Sequence, residues 1–511
     1  MKNTFSFPIS RREFMKLAGV TMAGVMVGGG GSTKAAAAEK GSAAVDFSKV
    51  SLPVLYDVDV CVVGGGAAGT AAAISAGKNG AKTLLVERGI YLGGLATQGC
   101  VYPCMPTFAF DSDTPYIKEV NKRMEGQGIS PLLGIETDKF YGGGAGQYAP
   151  EYLVQVYDEL CEEAGVSVLF EASLVGAVVE GDKITCCIVQ TSEGLGKIKA
   201  KTFIDGTGDA LLSRFAGVPT EKGSEKNGRN QPMSLRFEMT GVDVEKAYDF
   251  FWNTYNDDWL DKPFVDKMHR DVAAGKTPFF EFAKWKKNES LFKGGVSRGE
   301  LTQDDILYIQ GFAVIGKPHT MSLNCPEMPP LSFSSTDAIS RSQAISFGRK
   351  MMNRLAAFFV KNIPGFEKAY ISKEASMVGV RESWRIRGKY YLTADAYIKR
   401  QKFADGICRT AYPIDIHDVK LNLVDKMKKG EYYEIPFRAL IADKVNNLLT
   451  VGRCASGSFA AQASFRIQPT CMSMGEAAGI ATAWGLKNNI PVAEVRWEKI
   501  PEDIRSYVSK G

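Results

Sequence analysis

An almost continuous apolar run, Tyr56 to Val63, is the first strong pattern after the N-terminal region, and it predicts a strand covered on both faces of a parallel sheet. Gly64-Gly65-Gly66-Ala67-Ala68-Gly69 follows at once, and the small residues Thr70 to Ala76 then predict a helix. Lys82 to Val86 predicts a second strand, with Glu87 at its end. Between Glu171 and Thr202, strand-like runs are parted by Gly181-Asp182 and by Ser192 to Gly196, the pattern of a β-meander. Asp337 to Lys361 carries apolar residues near i, i+3 and i+4 and predicts a helix. At Gln468 another helix rich in small residues begins, with Pro469 suited to its first turn.

Composition narrows the class. The chain has 511 residues and is 45% hydrophobic, so one large or two intertwined domains are expected. Lys+Arg 62 against Asp+Glu 57 leaves +5, and most of that excess lies in the first 38 residues (Lys2, Arg11, Arg12, Lys16 and Lys34 against Glu13). A near-neutral body without a basic stripe excludes nucleic acid as a partner. The three histidines, His269, His319 and His417, lie in no C-x-x-C-H or H-E-x-x-H context, which excludes attached c-type haem and zincin-type zinc. No metal site is expected.

Ser10-Arg11-Arg12-Glu13-Phe14-Met15-Lys16, the weakly apolar run Leu17 to Gly31 and Ala35 to Ala38 have the layout of an export signal. The segment resembles a twin-arginine signal, which implies a folded, cofactor-loaded protein handed to the twin-arginine export machinery and a periplasmic or other extracytoplasmic location. Gly19, Gly24 and Gly28 to Gly31 dilute the run below what a membrane-spanning helix needs, so cleavage near Ala37 or Ala38 is expected and no stable span in the mature chain. All ten cysteines lie beyond the signal, where disulfides are permitted. Their spacing dictates none.

The glycine run satisfies G-x-G-x-x-G. Gly64 allows the tight turn, Gly66 lets backbone approach a pyrophosphate and Gly69 permits close helix packing, while the helix start offers free N–H groups to phosphate. Glu87, 23 residues after Gly64, is placed to accept ribose hydroxyls. Strand, turn, helix, strand and acid together predict a dinucleotide site.

The segment after Glu87, Arg88 to Thr97 with Gly93-Gly94, resembles the segment following the second strand in FAD enzymes of the glutathione reductase class. Lys201 to Asp209, with Gly206 and Gly208, resembles that class's "ATGD" turn, with Gly206 where alanine is commoner, and Asn446 to Arg453 resembles its terminal "NLLxxG" strand. Together with Ile363-Pro364-Gly365-Phe366, Val380-Arg381-Glu382, Tyr412 to His417, Ile435 to Arg438 and Arg453 to Gly479, these resemble a bacterial FAD-dependent oxidoreductase family over about residues 56 to 486. Trp384 departs from it, standing where a second arginine is frequent.

The resemblance implies an α/β fold: a Rossmann-type FAD-binding domain with a β-meander, plus an inserted α+β substrate domain. The implied layout is residues 1–38 signal, 39–55 linker, 56–225 and 436–490 FAD-binding domain, 226–435 substrate domain and 491–511 tail. It implies FAD contacts at Gly64, Gly65, Gly66, Ala67, Ala68, Gly69, Glu87, Arg88, Gly93, Gly94, Leu95, Ala96, Thr97, Val175, Gly206, Gly208, Asp209, Gly452, Arg453 and Gly475. In related flavoenzymes the helix start near Gln468 faces the flavin's pyrimidine edge, where its dipole stabilises the reduced form; the alternative is that its small residues serve only tight helix packing.

Three groups are candidates for chemistry. His417 is either an acid or base opposite the flavin or a loop residue bonded to its own turn. Arg381 and Arg466 either clamp a carboxylate or oxyanion or serve as ion-pair partners. Cys100 and Cys104 follow the Gly93-Gly94 turn and are expected near the flavin, but the disulfide reductases resembled in fold place their pair closer to the glycines and with four residues between, not three, which favours free or structural thiols over a redox dithiol. The expected function is an exported flavoenzyme moving hydride between a small organic substrate and flavin N5. Gly142 to Gly146 lacks a preceding buried strand, so no second nucleotide unit is expected. Electrons then pass to or from oxygen, a quinone or a redox protein. The alternative is a flavin-containing binding or electron-relay protein without turnover.

Overall fold

The run after residue 53 becomes β1 (Val54–Val63), half exposed at its start, where Asp57 and Asp59 interrupt it, and buried from Val60 onward. It leads into α1 (Ala67–Lys78), then β2 (Thr83–Val86), which lies parallel to β1 with Val63 opposite Val86. The computed structural model describes residues 46–102, 104–126, 148–255, 270, 281–283, 288–417 and 427–509. The expected signal over 1–38, residues 39–45 of the linker, Gly142 to Gly146, His269 and residues 510–511 lie outside them. Pro53–Gly511 forms one compact unit; Met1–Leu52 is a second, whose described part carries a 3-10 turn at Phe47–Lys49.

After β3 (Ser167–Leu169) come the meander strands β4 (Ser173–Glu180), β5 (Lys183–Thr191) and β6 (Gly194–Asp205). The sheet order is β3-β2-β1-β6-β5-β4, and Leu448–Thr450 pairs in parallel with β6. β6 is long enough to serve two partnerships. Its first half is antiparallel to β5, while its last residues lie between β1 and Leu448–Thr450. The meander therefore continues the nucleotide-binding sheet through one shared strand.

Register decides where the site forms. Val86, Val63, Asp205 and Thr450 lie in one row, so the loops that follow all leave the same carboxyl edge of the sheet. That edge is where open parallel sheets bind ligands. Behind it, α1 crosses α2 (Gln468–Lys487) at backbone distance: a Cβ on Gly475 would stand 2.0 Å from the Ala68 carbonyl oxygen, and one on Gly479 2.3 Å from that of Ala72. The small residues of both helices are a packing requirement.

A second, five-stranded antiparallel sheet holds Glu281–Ala283, Gln310–Ala313, Thr320–Leu323, Phe237–Thr240 and Tyr370–Glu374 in that order. Its core is aromatic, with Phe251 stacked on Phe282 at 4.4 Å and Phe358, Phe359 and Phe366 from the following helix and turn closing over them. That helix runs Ala338–Asn362, starting one residue later and ending one residue later than the expected span, because Asp337 is its N-cap, the side chain accepting the Ser340 N–H. Among the described residues no helix is long and apolar enough to cross a membrane.

Candidate active site

The loops leaving the carboxyl edge enclose a cavity of about 350 Å³. At its centre is the first turn. Gly64 has φ +100°, and a Cβ there would stand 2.6 Å from the Gly206 carbonyl oxygen, so only glycine fits. Gly66 is different: its φ is −74°, and a Cβ would meet no protein atom nearer than 4.0 Å. It lines the cavity with Ala67 and Ala68, and no side chain caps the α1 start.

Glu87 is fixed by two backbone donors, Gly65 N–H to Oε2 and Gly89 N–H to Oε1, both 2.7 Å. It is buried yet on the cavity wall, beside Arg88. Gly93 to Ala96 form the opposite lip, tied to the first turn by the Gly93 N–H to Gly65 carbonyl bond of 2.7 Å. Gly206, Gly208 and Asp209 contribute from the loop after β6, and Gly452 and Arg453 from the loop after Thr450. The departure at Gly206 has a local cause: a Cβ would lie 2.9 Å from both the Gly64 carbonyl oxygen and the Gly69 Cα.

Five expected contacts lie off the wall. Gly65 faces Leu92 and the Glu87 side chain. Gly69 and Gly475 serve backbone approach, to Gly64 and Ala68 respectively. Thr97 turns its hydroxyl back to the Leu92 carbonyl, 2.6 Å. Val175 lies just past the strand residues that do line the cavity, Ser173 and Leu174 with Ala172 before them. Sequence reasoning missed those three, and also Thr207, Leu211, Met377, Gln468 and Cys471. Gln468 and Cys471 belong to the helix start already singled out by its small residues. Met377 has no such signal: a long-range bond from its N–H to the Gln98 carbonyl, 3.3 Å, brings it in.

Asp209 and Arg453 lock together, Arg453 donating to Asp209 Oδ1 at 2.8 Å and to the Gly208 carbonyl at 2.6 Å. Burial works against the charge on Asp209, but Arg453 and Arg341 overcome it and hold the carboxyl down, to about 2.

Of the three candidates for chemistry, Arg466 lines the cavity and Arg381 and His417 do not. All three nevertheless fall on one buried chain. Arg381 Nη2 is 3.0 Å from Glu327 Oε2, which is 2.8 Å from His417 Nδ1, neither approach being aligned as a hydrogen bond. His417 Nε2 is 3.4 Å from Asp415 Oδ1, and Asp415 Oδ2 accepts from Arg466 Nη2 at 2.8 Å. Arg381 is further committed to the Pro232 carbonyl and the Ser234 hydroxyl, both 2.8 Å. Burial disfavours charge on Glu327 and Asp415, yet both carboxyls are held below their ordinary range. Arg381 and then His417 do this for Glu327, and His417, Arg466 and Arg381 for Asp415. Glu327 carried no sequence signal, because its partners come from segments far along the chain.

Trp384 is off the cavity wall, with Arg214 at 4.2 Å and Lys222 at 4.7 Å from its ring centre. All ten thiols are free, and Cys100 and Cys104 lie off the cavity wall.

A sequence profile of FAD dependent oxidoreductases matches residues 59–504. The chain belongs to the FAD dependent oxidoreductase family. This oxidoreductase is 26% identical over 208 residues to the digeranylgeranylglycerophospholipid reductase of Methanocaldococcus jannaschii, covering 37% of this chain and 47% of that protein. To the protein of the same name from Thermoplasma acidophilum it is 27% identical over 202 residues, 38% of this chain and 50% of that one. The match spans about half the length of these curated relatives. Among solved structures, a geranylgeranyl bacteriochlorophyll reductase-like protein from Thermoplasma acidophilum aligns with 88% of this chain and 84% of its own, at 15% identity and a TM-score of 0.41.

FAD is the cofactor of this family, and the cavity fits it. The open space at Gly66, the uncapped start of α1 and the fixed carboxylate of Glu87 supply a backbone cradle, N–H groups suited to phosphate and a ribose acceptor on one cavity wall.

Proposed function

We propose that this chain is an exported FAD-dependent oxidoreductase of the glutathione reductase class. It moves hydride between a small organic substrate and the flavin and exchanges electrons with oxygen, a quinone or a redox protein rather than a nicotinamide. The observation that carries the reading is the single cavity shared by the G-x-G-x-x-G turn, Glu87 and the Arg466–Gln468–Cys471 wall. It extends from a ribose acceptor to a cationic helix start, as a dinucleotide with a redox end requires.

Bound FAD supplies a ring that accepts and donates hydride. The chain's own residues do the rest. Gly64, Gly66, Ala67, Ala68 and Gly452 would hold the pyrophosphate and Glu87 the adenosine ribose, with Ala172 to Leu174 and Arg88 bordering the adenine end. At the far end, Arg466 and the N-terminus of α2 present positive charge, stabilising negative charge that develops there. Residues 226–435, with their antiparallel sheet, form the substrate side of the layout. Residues 1–38 direct export through the twin-arginine route.

Two measurements test this. Anaerobic addition of small organic donors to FAD-loaded protein should bleach the flavin spectrum, with oxygen or a quinone restoring it and NADH or NADPH inert. Turnover-rate bleaching by a nicotinamide would sink the electron-partner reading. Lysine at both Arg11 and Arg12 should leave folded, yellow protein in the cytoplasm. Undiminished export would refute the address.

A further inference from the structure

The ion chain beside the cofactor cavity holds two guanidinium groups, Arg381 and Arg466, and two carboxylates, Glu327 and Asp415, whose charges cancel. Between the carboxylates sits His417, 2.8 Å from one and 3.4 Å from the other. It is the one member of a side-chain type that changes charge near neutrality. The imidazole is not on the cofactor-cavity wall, and its contacts lead there through Asp415 to Arg466.

On its other side His417 lines a small cavity of about 20 Å³ with Asn230, Gln231 and Arg229. That is room for about one water. Gln231 Nε2, buried on this wall, has no partner, as the donor to such a water would. The remaining groups around the imidazole are Tyr308, its ring centre 4.9 Å away, and Tyr412, whose hydroxyl donates to Asp415 Oδ2 at 3.4 Å. Arg381 and Arg466 are each paired with an acid of the chain, and Arg229 also lines the small cavity.

We propose that His417 takes up a solvent proton when electrons arrive in the cofactor cavity and releases it when they leave, coupled through Asp415 and Arg466 without touching substrate. The balance is simple. A two-electron donor, dithionite in the test below, delivers negative charge next to Arg466; Arg466 then neutralises Asp415 less completely, and Asp415 favours charged imidazole more. One proton from bulk water enters by the small cavity and binds His417, beyond those the cofactor itself takes. Reoxidation reverses each step. This rests on the reading that the redox end lies at Arg466.

The test is the midpoint potential of FAD-loaded protein, titrated with dithionite against redox dyes across neutral pH. In wild type one extra proton per two electrons steepens the pH dependence tenfold in the reduction equilibrium per pH unit, about 30 mV. His417→Gln should lose that increment, and an unchanged slope overturns the proposal. Glu327→Gln removes an acid that favours charged imidazole, so the steep region should move to lower pH; if His417→Gln does not fold, an unmoved profile here overturns the proposal by itself. Arg466→Met separates the two levels: a lowered potential supports the placement of the redox end, and with it an unaltered His417→Gln slope sinks only the coupling. If Arg466→Met leaves potential and slope at wild-type values, the placement itself fails.

Discussion

The wall of the cofactor cavity is rich in glycine (Gly64, Gly66, Gly93, Gly94, Gly206, Gly208 and Gly452), delivered by four turns that leave adjacent parallel strands at one level. The ion chain beside it is all side chain, drawn from the loops around Glu327, Arg381 and Asp415 and from the end of the helix Phe459–Phe465. The two meet at Arg466. A backbone site fails when a Cβ intrudes, whereas a charged side-chain site fails when one partner is removed and the other is left buried and unpaired.

The largest effect expected lies in the first turn, where neighbouring glycines should fail in different ways. Gly66→Val adds atoms into open cavity at an ordinary φ, so the protein should fold with its normal melting behaviour yet purify without flavin. Gly69→Ala puts a Cβ 1.9 Å from the Gly64 carbonyl oxygen and should cost the fold itself. Flavin content and circular dichroism of both variants check this. A yellow Gly66→Val protein would mean that the pyrophosphate does not lie there.

This contrast also explains what could be read in advance. The turn at Gly64, the acid at Glu87 and the glycines at 93, 206 and 452 were legible because each is a short local pattern with a steric reason. Gly475 was legible as special but not as to why: close packing of α1 on α2 and cofactor contact both ask for glycine. Glu327 and Met377 were not legible, since only the pairing of distant segments gives them their neighbours. His417 and Arg466 were legible as candidates, but their order along the chain, with Arg466 at the cavity and His417 two residues removed, required coordinates.

Glu476 in α2 shows what the acids of the ion chain would be without their cations. It accepts the Tyr116 N–H at 3.0 Å and forms no ion pair among the described residues, and burial pushes its carboxyl up to about 7 from 4.5. The folded protein keeps this proton where the unfolded chain has lost it, so the group's stabilisation is full below pH 4.5 and is lost as pH rises toward 7. Glu476→Gln keeps the acceptor and removes the titration, so above pH 7 it should be the more stable protein by on the order of 3 kcal/mol. Melting temperatures of the two proteins should diverge across that window. Parallel curves would place Glu476 with the paired acids.

A smaller change probes the backbone half again. Gly206→Ala sets a Cβ 2.9 Å from Gly64 and Gly69 atoms. It should destabilise by about 1–3 kcal/mol, the scale of overpacking, measurable by denaturant unfolding. A neutral effect would show that the two loops and the start of α1 can separate without disturbing the site.

The smallest effect expected is on turnover when His417 becomes Gln. A group that passes a proton directly to substrate contributes about 100-fold or more. His417 is off the cavity wall, its contacts leading there through Asp415 to Arg466, so substrate-dependent flavin reduction should slow by clearly less than that while FAD content stays the same. Arg466→Met should slow it more, because that side chain reaches the cavity. If the histidine variant proves the slower of the two, the imidazole does meet substrate, and the ion chain is a catalytic site rather than a charged support beside one.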